Sequence, residues 1–313
     1  MKVAVTGGAG FIGSHVVDLL VAQAAEVVVI DDLSAGLASN VNEKARFIQM
    51  DVRSPAILDL FAAERFDYVI HLAAQTAVPI SQKNPDIDAD VNIKGTINIA
   101  KASRDSGVKR MVFASSAAVY GDQMSLPVPE DAWANPLSFY GMSKWAAERY
   151  LLMFKQCFGL DCIILRYANV YGERQGDSGE GGVVSIFCRL VAQDKAVEVF
   201  GDGGQTRDFI YVKDVAAANI AALLAKAENA IYNVSTGSET AVKELIAALE
   251  AVAGQPVRRV MRPPREGDIY RSALSNFLAA RDLGWQPRTT LTAGLARTLN
   301  YFRGKGKNTE TRV

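Results

Sequence analysis

Two patterns in the sequence predict an α/β fold built on a doubly wound parallel sheet, and a third adds a smaller α/β cap. Short apolar runs recur at 3–6, 27–30, 46–49, 68–71, 110–115 and 161–166, and helical runs at 57–64, 91–106 and 143–158 lie between them. Strand and helix patterns alternating in this way build βαβ units, which put helices on both faces of the sheet and ligands at the carboxyl ends of its strands. After about residue 172 the alternation gives way to a glycine-rich loop at 176–182, a helical run at 183–192 and further helices near 242–253 and 275–283. Between these, 209–217 and the strand 230–234 read as a return to the main sheet.

The first element carries the densest signal. An apolar strand at 3–5 runs into glycines at 7, 10 and 13, and an amphipathic run follows at 12–24. Strand, tight turn and helix in this order aim backbone N–H groups at a pyrophosphate on a helix N-terminus. In that arrangement Gly7 allows the turn, Gly10 the approach of the phosphates and Gly13 the packing of helix on strand, with Phe11 and Ile12 opening the helix. The second strand, 26–30, ends in Asp31-Asp32. An acidic side chain about 20 positions beyond the glycines holds the adenosine ribose and repels a 2′-phosphate, so NAD is the expected cofactor rather than NADP. The fold is therefore Rossmann-like.

A second constellation supplies chemistry. Tyr140 and Lys144 stand four apart in Tyr-Gly-Met-Ser-Lys, on one face of a helix. A neighbouring ammonium stabilises phenolate and lowers a tyrosine pKa from about 10, which makes Tyr140 a general base for a substrate hydroxyl. Ser115-Ser116 closes the strand 110–115 just upstream. Ser116 reads either as a hydroxyl that meets the substrate or as the cap of a turn.

The spacing Gly7-Gly-Ala-Gly10-Phe-Ile-Gly13, the run Ser115-Ser116-Ala-Ala-Val-Tyr-Gly121 and the Tyr140/Lys144 pair resemble the UDP-galactose 4-epimerases of the extended short-chain dehydrogenase/reductase family. The resemblance covers residues 1 to about 300. It implies that Ser116 hydrogen-bonds the sugar 4-hydroxyl beside Tyr140. It also places Asp51 and Val52 at the adenine, Leu72, Ala73 and Ala74 in the turn under the pyrophosphate, and Asn92 beside that turn. Arg166-Tyr-Ala-Asn-Val-Tyr-Gly172 brings Tyr167 near the nicotinamide and Asn169 onto the substrate diphosphate. Phe200, Arg207, Arg265 and Asp268 match the arms that hold uridine, ribose and diphosphate, where guanidinium forks bind phosphate oxygens bidentately. His71 reads as a packed residue at a strand end rather than a catalyst.

Neighbouring reactions are separated by Ala117 and Ala118. The related dehydratases place an acid/base pair at those positions, and alanine exchanges no proton. Two departures from the family pattern stand out. Thr76 occupies the place of a lysine near the cofactor phosphates. Ser272 falls where a large aromatic closes the pocket at the sugar C2, so an N-acetyl group would fit; Tyr270 is the alternative occupant of that position. A UDP-glucuronate 4-epimerase and a non-catalytic NAD-binding regulator are the rival readings.

Composition sets outer bounds. The chain has 313 residues, 34 Lys+Arg against 34 Asp+Glu and 49% hydrophobic content, which points to no nucleic acid or membrane partner. No apolar stretch reaches the ~18 residues of a membrane span. Cys157, Cys162 and Cys188 have no metal-ligand or disulfide-framework spacing and read as reduced, buried thiols. With a strand starting at Met1 and no room for a signal peptide, a cytoplasmic location is expected. The organisation expected is an NAD-binding domain over 1–174, with 206–236 packing back onto it, and a substrate-capping domain over 175–313 ending in a disordered polar tail from 303. A homodimer is the expected assembly.

Overall fold

The computed structural model describes residues 1–176, 182–227, 229–265, 267 and 269–310, the last six as backbone. Most of the glycine-rich loop (177–181) and Asp268 lie outside the described residues.

The chain opens with β1 (Lys2–Thr6), α1 (Phe11–Ala22), β2 (Glu26–Asp31), β3 (Arg46–Gln49), α2 (Ala56–Glu64) and β4 (Tyr68–His71). Three helices follow, α3 (Val78–Lys83), α4 (Pro85–Ala89) and α5 (Gly95–Asp105), then β5 (Arg110–Ser116), α6 (Phe139–Phe158) and β6 (Cys162–Tyr167). Next come β7 (Asn169–Tyr171), α7 (Val183–Ala192), β8 (Val197–Phe200), β9 (Thr206–Arg207), β10 (Phe209–Tyr211), α8 (Val212–Leu224) and β11 (Ile231–Val234). The last elements are β12 (Thr240–Ala241), α9 (Val242–Ala253), β13 (Arg259–Arg262), α10 (Phe277–Leu283) and α11 (Leu291–Glu310).

Among the described residues one sheet has seven strands in the order β11-β6-β5-β4-β1-β2-β3, every neighbouring pair parallel. The strand sequences explain why it is covered on both sides. Val3 and Val5 pack into one core and Ala4 into the other; Val27 and Val29 alternate likewise with Val28 and Ile30, and Val112 and Ala114 with Met111 and Phe113. Period-2 alternation of apolar residues on both faces is what a doubly covered parallel strand requires. The strand order reverses between β1 and β4, and a crevice opens there at the carboxyl ends.

A third core holds Tyr171, Phe187, Val199, Tyr211, Leu245 and Leu295, drawn from β7, α7, β8, β10, α9 and α11. Four expectations need correction. Phe209–Tyr211 does not rejoin the main sheet; it pairs with Asn169–Tyr171 in a separate two-stranded sheet, and α8 and β11 make the return. The helix expected at 91–106 begins as a π turn, Asp90–Lys94, before α5. Cys157 is exposed, since it falls on the outer side of α6, while Cys162 and Cys188 are buried. The tail expected to be disordered from 303 is helical to Glu310, because each residue added to a helix already anchored at Leu299 and Phe302 gains a backbone hydrogen bond.

Candidate active site

The cleft at the switch between β1 and β4 has a volume of about 520 Å³. Its floor is the turn between β1 and α1. Gly7 has φ +71°, and a Cβ there would stand 2.6 Å from the Ala73 backbone nitrogen. A Cβ at Gly13 would collide with the carbonyl oxygen of Gly7. Only glycine serves at both places. Gly10 caps α1 in extended conformation with no side-chain cap, so its first turn, Phe11, Ile12 and Gly13, presents backbone N–H groups at the cleft wall. This cradle suits the anionic bridge of a dinucleotide.

Asp31 ends β2 on the same wall, buried to 7% exposure. Its two carboxylate oxygens accept from the backbone N–H of Ala9 (3.0 Å) and of Leu33 (2.9 Å). Each oxygen keeps a further lone pair for a ribose hydroxyl. Burial raises its pKa, and the two N–H donors oppose that rise. Asp51 and Val52 also line the cleft, with Asp51 paired to Arg53 at 2.6 Å and its pKa lowered by that guanidinium. Leu72, Ala73, Ala74 and Thr76 form the opposite wall.

Asn92 lies beside the turn of residues 72–76, as expected. It is 1% exposed and lies behind the wall, where its amide brackets the Gln75 backbone, accepting from N–H (2.9 Å) and donating to C=O (3.0 Å), and donates to Ser143 Oγ (3.0 Å). It stands in the π turn, and its amide holds the turn of residues 72–76. His71 is packed as expected, with Nδ1 2.6 Å from Thr6 Oγ1, Nε2 3.0 Å from Thr96 Oγ1 and a pKa pushed down to about 3 by burial.

Ser116, Tyr140 and Lys144 meet on the remaining wall. Ser116 ends β5, and its Oγ accepts from the Ala118 N–H at 3.1 Å. The cap reading of this serine is therefore met, and accepting leaves its own O–H free to donate. Ser138 Oγ caps α6 by accepting from the Gly141 N–H, and the Tyr140 N–H donates to Ser81 Oγ at 3.1 Å, which fixes where the tyrosine enters the cleft. Lys144 is 3% exposed; its Nζ donates to the Ala114 carbonyl at 2.8 Å and lies 4.9 Å from the centre of the Phe113 ring. Burial lowers its pKa to about 8, with Asp88 and Glu148 pulling the other way. Tyr167 closes the wall, buried, with its hydroxyl donating to Asn219 Oδ1 at 2.9 Å.

Beyond Ser116 and Tyr140, the described residues expected to hold the substrate do not line this cleft. Asn169, Phe200, Arg207, Arg265 and Ser272 are off the wall of this cleft, and Asp268 lies outside the described residues. Asn169 is exposed on β7. The Arg265 guanidinium stacks 3.8 Å over the Phe200 ring, so these two do come together. Arg207 lies on β9, half-buried, its Nη1 donating to the Thr206 carbonyl at 2.8 Å. Tyr270 points to the Asp202 carboxylate (3.5 Å) and is 56% exposed, whereas the half-buried Ser272 precedes Ala273 and Leu274, which pack on Val128. Sequence reading missed the residues behind the wall, Ser81, Ser143 and Glu148. Glu148, four positions after Lys144, was the one with a visible signal in its spacing. No metal-holding group of acidic, histidine or cysteine side chains exists among the described residues.

The sequence pattern of the NAD dependent epimerase/dehydratase family matches residues 3–235. The chain belongs to that family. It is 41% identical over 313 residues to a UDP-glucose 4-epimerase of Mycolicibacterium smegmatis, covering 98% of this chain and 100% of that one. A UDP-glucose 4-epimerase from Thermotoga maritima, crystallised with UDP-glucose, superposes with a TM-score of 0.94 at 41% identity over 97% of this chain and 99% of that one. A UDP-N-acetylglucosamine 4-epimerase from Methanobrevibacter ruminantium, in complex with UDP-N-acetylmuramic acid, gives 0.93 at 32% identity, with coverages of 97% and 98%. The glycine cradle and Asp31 described above fit the cofactor of this NAD-dependent family.

Proposed function

We propose that this family member is a UDP-hexose 4-epimerase that interconverts UDP-glucose and UDP-galactose, and also their N-acetyl counterparts. The observation that carries this reading is the convergence of Ser116, Tyr140 and Lys144 on one wall of a cleft whose floor suits NAD. NAD, when bound, supplies the acceptor and donor for the C4 hydride. The Tyr140 phenolate takes the 4-hydroxyl proton and later returns it. Ser116 donates to the same oxygen and holds it in reach. Lys144, stationed by the Ala114 carbonyl, supplies the positive charge that favours phenolate. Ala117 and Ala118 offer no acid, so nothing beside the sugar promotes loss of water.

Gly7, Gly10, Phe11, Ile12, Gly13, Asp31, Asp51, Val52, Leu72, Ala73, Ala74 and Tyr167 would contact the cofactor, with Asn92 supporting from behind. Asn169, Phe200, Arg207, Arg265, Asp268 and Ser272 would hold the UDP-sugar. The third core supports a capping unit over 175–313 set on an NAD-binding unit over 1–174, to which 206–236 returns through α8 and β11. We also propose a homodimer, supported by Met142, Tyr150 and Met153, which are exposed on the outer side of α6. Sedimentation of a monomer at micromolar concentration would overturn that assembly. No helix among the described residues is long and apolar enough to cross a membrane, and free thiols at all three cysteines suit the cytoplasm.

A panel of UDP-sugars offered to the purified protein tests the function. The expected result is conversion of the glucose/galactose pair in both directions. Turnover of UDP-glucuronate alone would favour the glucuronate enzyme. Inertness toward every sugar with NAD bound would mean a regulator.

A further inference from the structure

Directly behind the proposed catalytic wall lies a buried ion pair that the reaction as described does not use. Glu148 is 0% exposed and Arg166 3%. Arg166 Nη2 donates to Glu148 Oε2 at 2.6 Å and Nε to Oε1 at 2.9 Å, a bidentate fork. Ser115 Oγ donates to the same Oε1 at 2.5 Å. Two further cations act on this carboxylate: Arg149, 3.6 Å away and half-exposed, and Lys144 one turn back on α6, whose ammonium form Glu148 favours. Arg166 is held in turn by the Glu130 carbonyl (3.1 Å) and by the Tyr120 ring, 4.7 Å from its guanidinium carbon.

A buried ion pair is weak ground for stability, since well-packed apolar residues of similar volume often do as well. Its place in the fold suggests another use. Tyr140, Lys144 and Glu148 stand at i, i+4 and i+8, one stripe of α6. Lys144 grips the carbonyl of Ala114, and Glu148 grips the hydroxyl of Ser115. Two turns of the helix thus clamp two consecutive residues of β5. The next strand residue is Ser116, and the next turn toward the helix N-terminus carries Tyr140. Arg166 sits beside Ser115 in the β5–β6 register and locks the clamp from the neighbouring strand.

We propose that Glu148, held by Arg166, is a positioning residue that sets Ser116 against Tyr140 through Ser115; the inference rests on the epimerase reading above. A displacement of about 1 Å between reacting groups can cost about 100-fold in rate. Three variants of the NAD-loaded protein test it: S115A, E148Q and the double variant E148Q/R166M. For each, kcat and KM for UDP-galactose are measured per mole of bound NAD, together with Tm. S115A is expected to keep its NAD, Tm and KM and to lose kcat about 10- to 100-fold. E148Q is expected to lose both kcat and Tm, because Arg166 is left buried without its counter-charge. The double variant should regain Tm and keep the low kcat. Wild-type kcat in S115A, or recovery of kcat together with Tm in the double variant, would overturn the proposal and leave only charge compensation. If E148Q does not fold, S115A decides alone, because it leaves the ion pair intact. A wild-type protein that holds NAD and converts no UDP-hexose would instead sink the epimerase reading.

Discussion

At the scale of single residues, Tyr140 and Ser272 carry the two assignments with the clearest consequences. Tyr140→Phe removes the proton acceptor and little volume, so turnover should fall about 100-fold or more while KM stays near wild type. The nucleotide released on denaturation should be NAD in both proteins, because Asp31 leaves no room for a 2′-phosphate. Near-wild-type epimerisation by the Phe variant would contradict the role given to the phenol. Ser272→Tyr tests specificity. If Ser272 lines the C2 pocket, the aromatic ring should abolish turnover of the N-acetyl pair and spare the smaller pair, read as kcat/KM on both. Equal loss on both pairs would place Ser272 outside that pocket. Tyr140 and Lys144 were legible in the sequence because a spacing of four has one geometric meaning on a helix. Asn92 was legible only as a position, because nothing in the sequence announces the π turn that aims its amide inward.

At the scale of elements, β1 and β4 are bonded side by side beneath the cleft, and the buried His71 joins them through Thr6 Oγ1. Its neutral form is part of the fold, and this makes a prediction about pH. The unfolded imidazole takes up a proton near 6.5 and the folded one only near 3. Between those values the unfolded chain binds more protons, so this group's contribution falls as the medium is acidified, by at most about 1.4 kcal/mol per pH unit. Urea melts of wild type and His71→Asn between pH 6.5 and 4.5 should differ in slope by up to one proton, the wild type losing stability faster. Parallel slopes would mean that the imidazole is protonated in the fold. The strands of the main sheet were legible to within a residue or two, since apolar runs bounded by glycine or acidic turns leave few alternatives. The strand Phe209–Tyr211 was misplaced for a physical reason: a three-residue apolar segment does not say which partner it joins, and β7, also three residues long, gave no separate signal.

At the scale of the whole molecule, the fold sets a cleft at the crossover of a parallel sheet, and the residues proposed to hold the UDP-sugar lie beyond it. The cleft was legible because its residues follow strand ends in sequence. The proposed arms rest on resemblance alone, since Phe200, Arg207, Arg265 and Ser272 come from separate short segments with no shared period. In the proposed reaction the 4-hydroxyl proton goes to Tyr140 while the C4 hydrogen never meets solvent. One measurement tests the fate of that C4 hydrogen directly. UDP-galactose is incubated with the purified protein in deuterium oxide, without added cofactor, and followed by proton NMR. The expected result is a glucose/galactose mixture, reached equally from UDP-glucose, with the C4 hydrogen fully retained as protium in both sugars. Deuterium at C4, or no change in the sugar while NAD remains bound, would contradict the account.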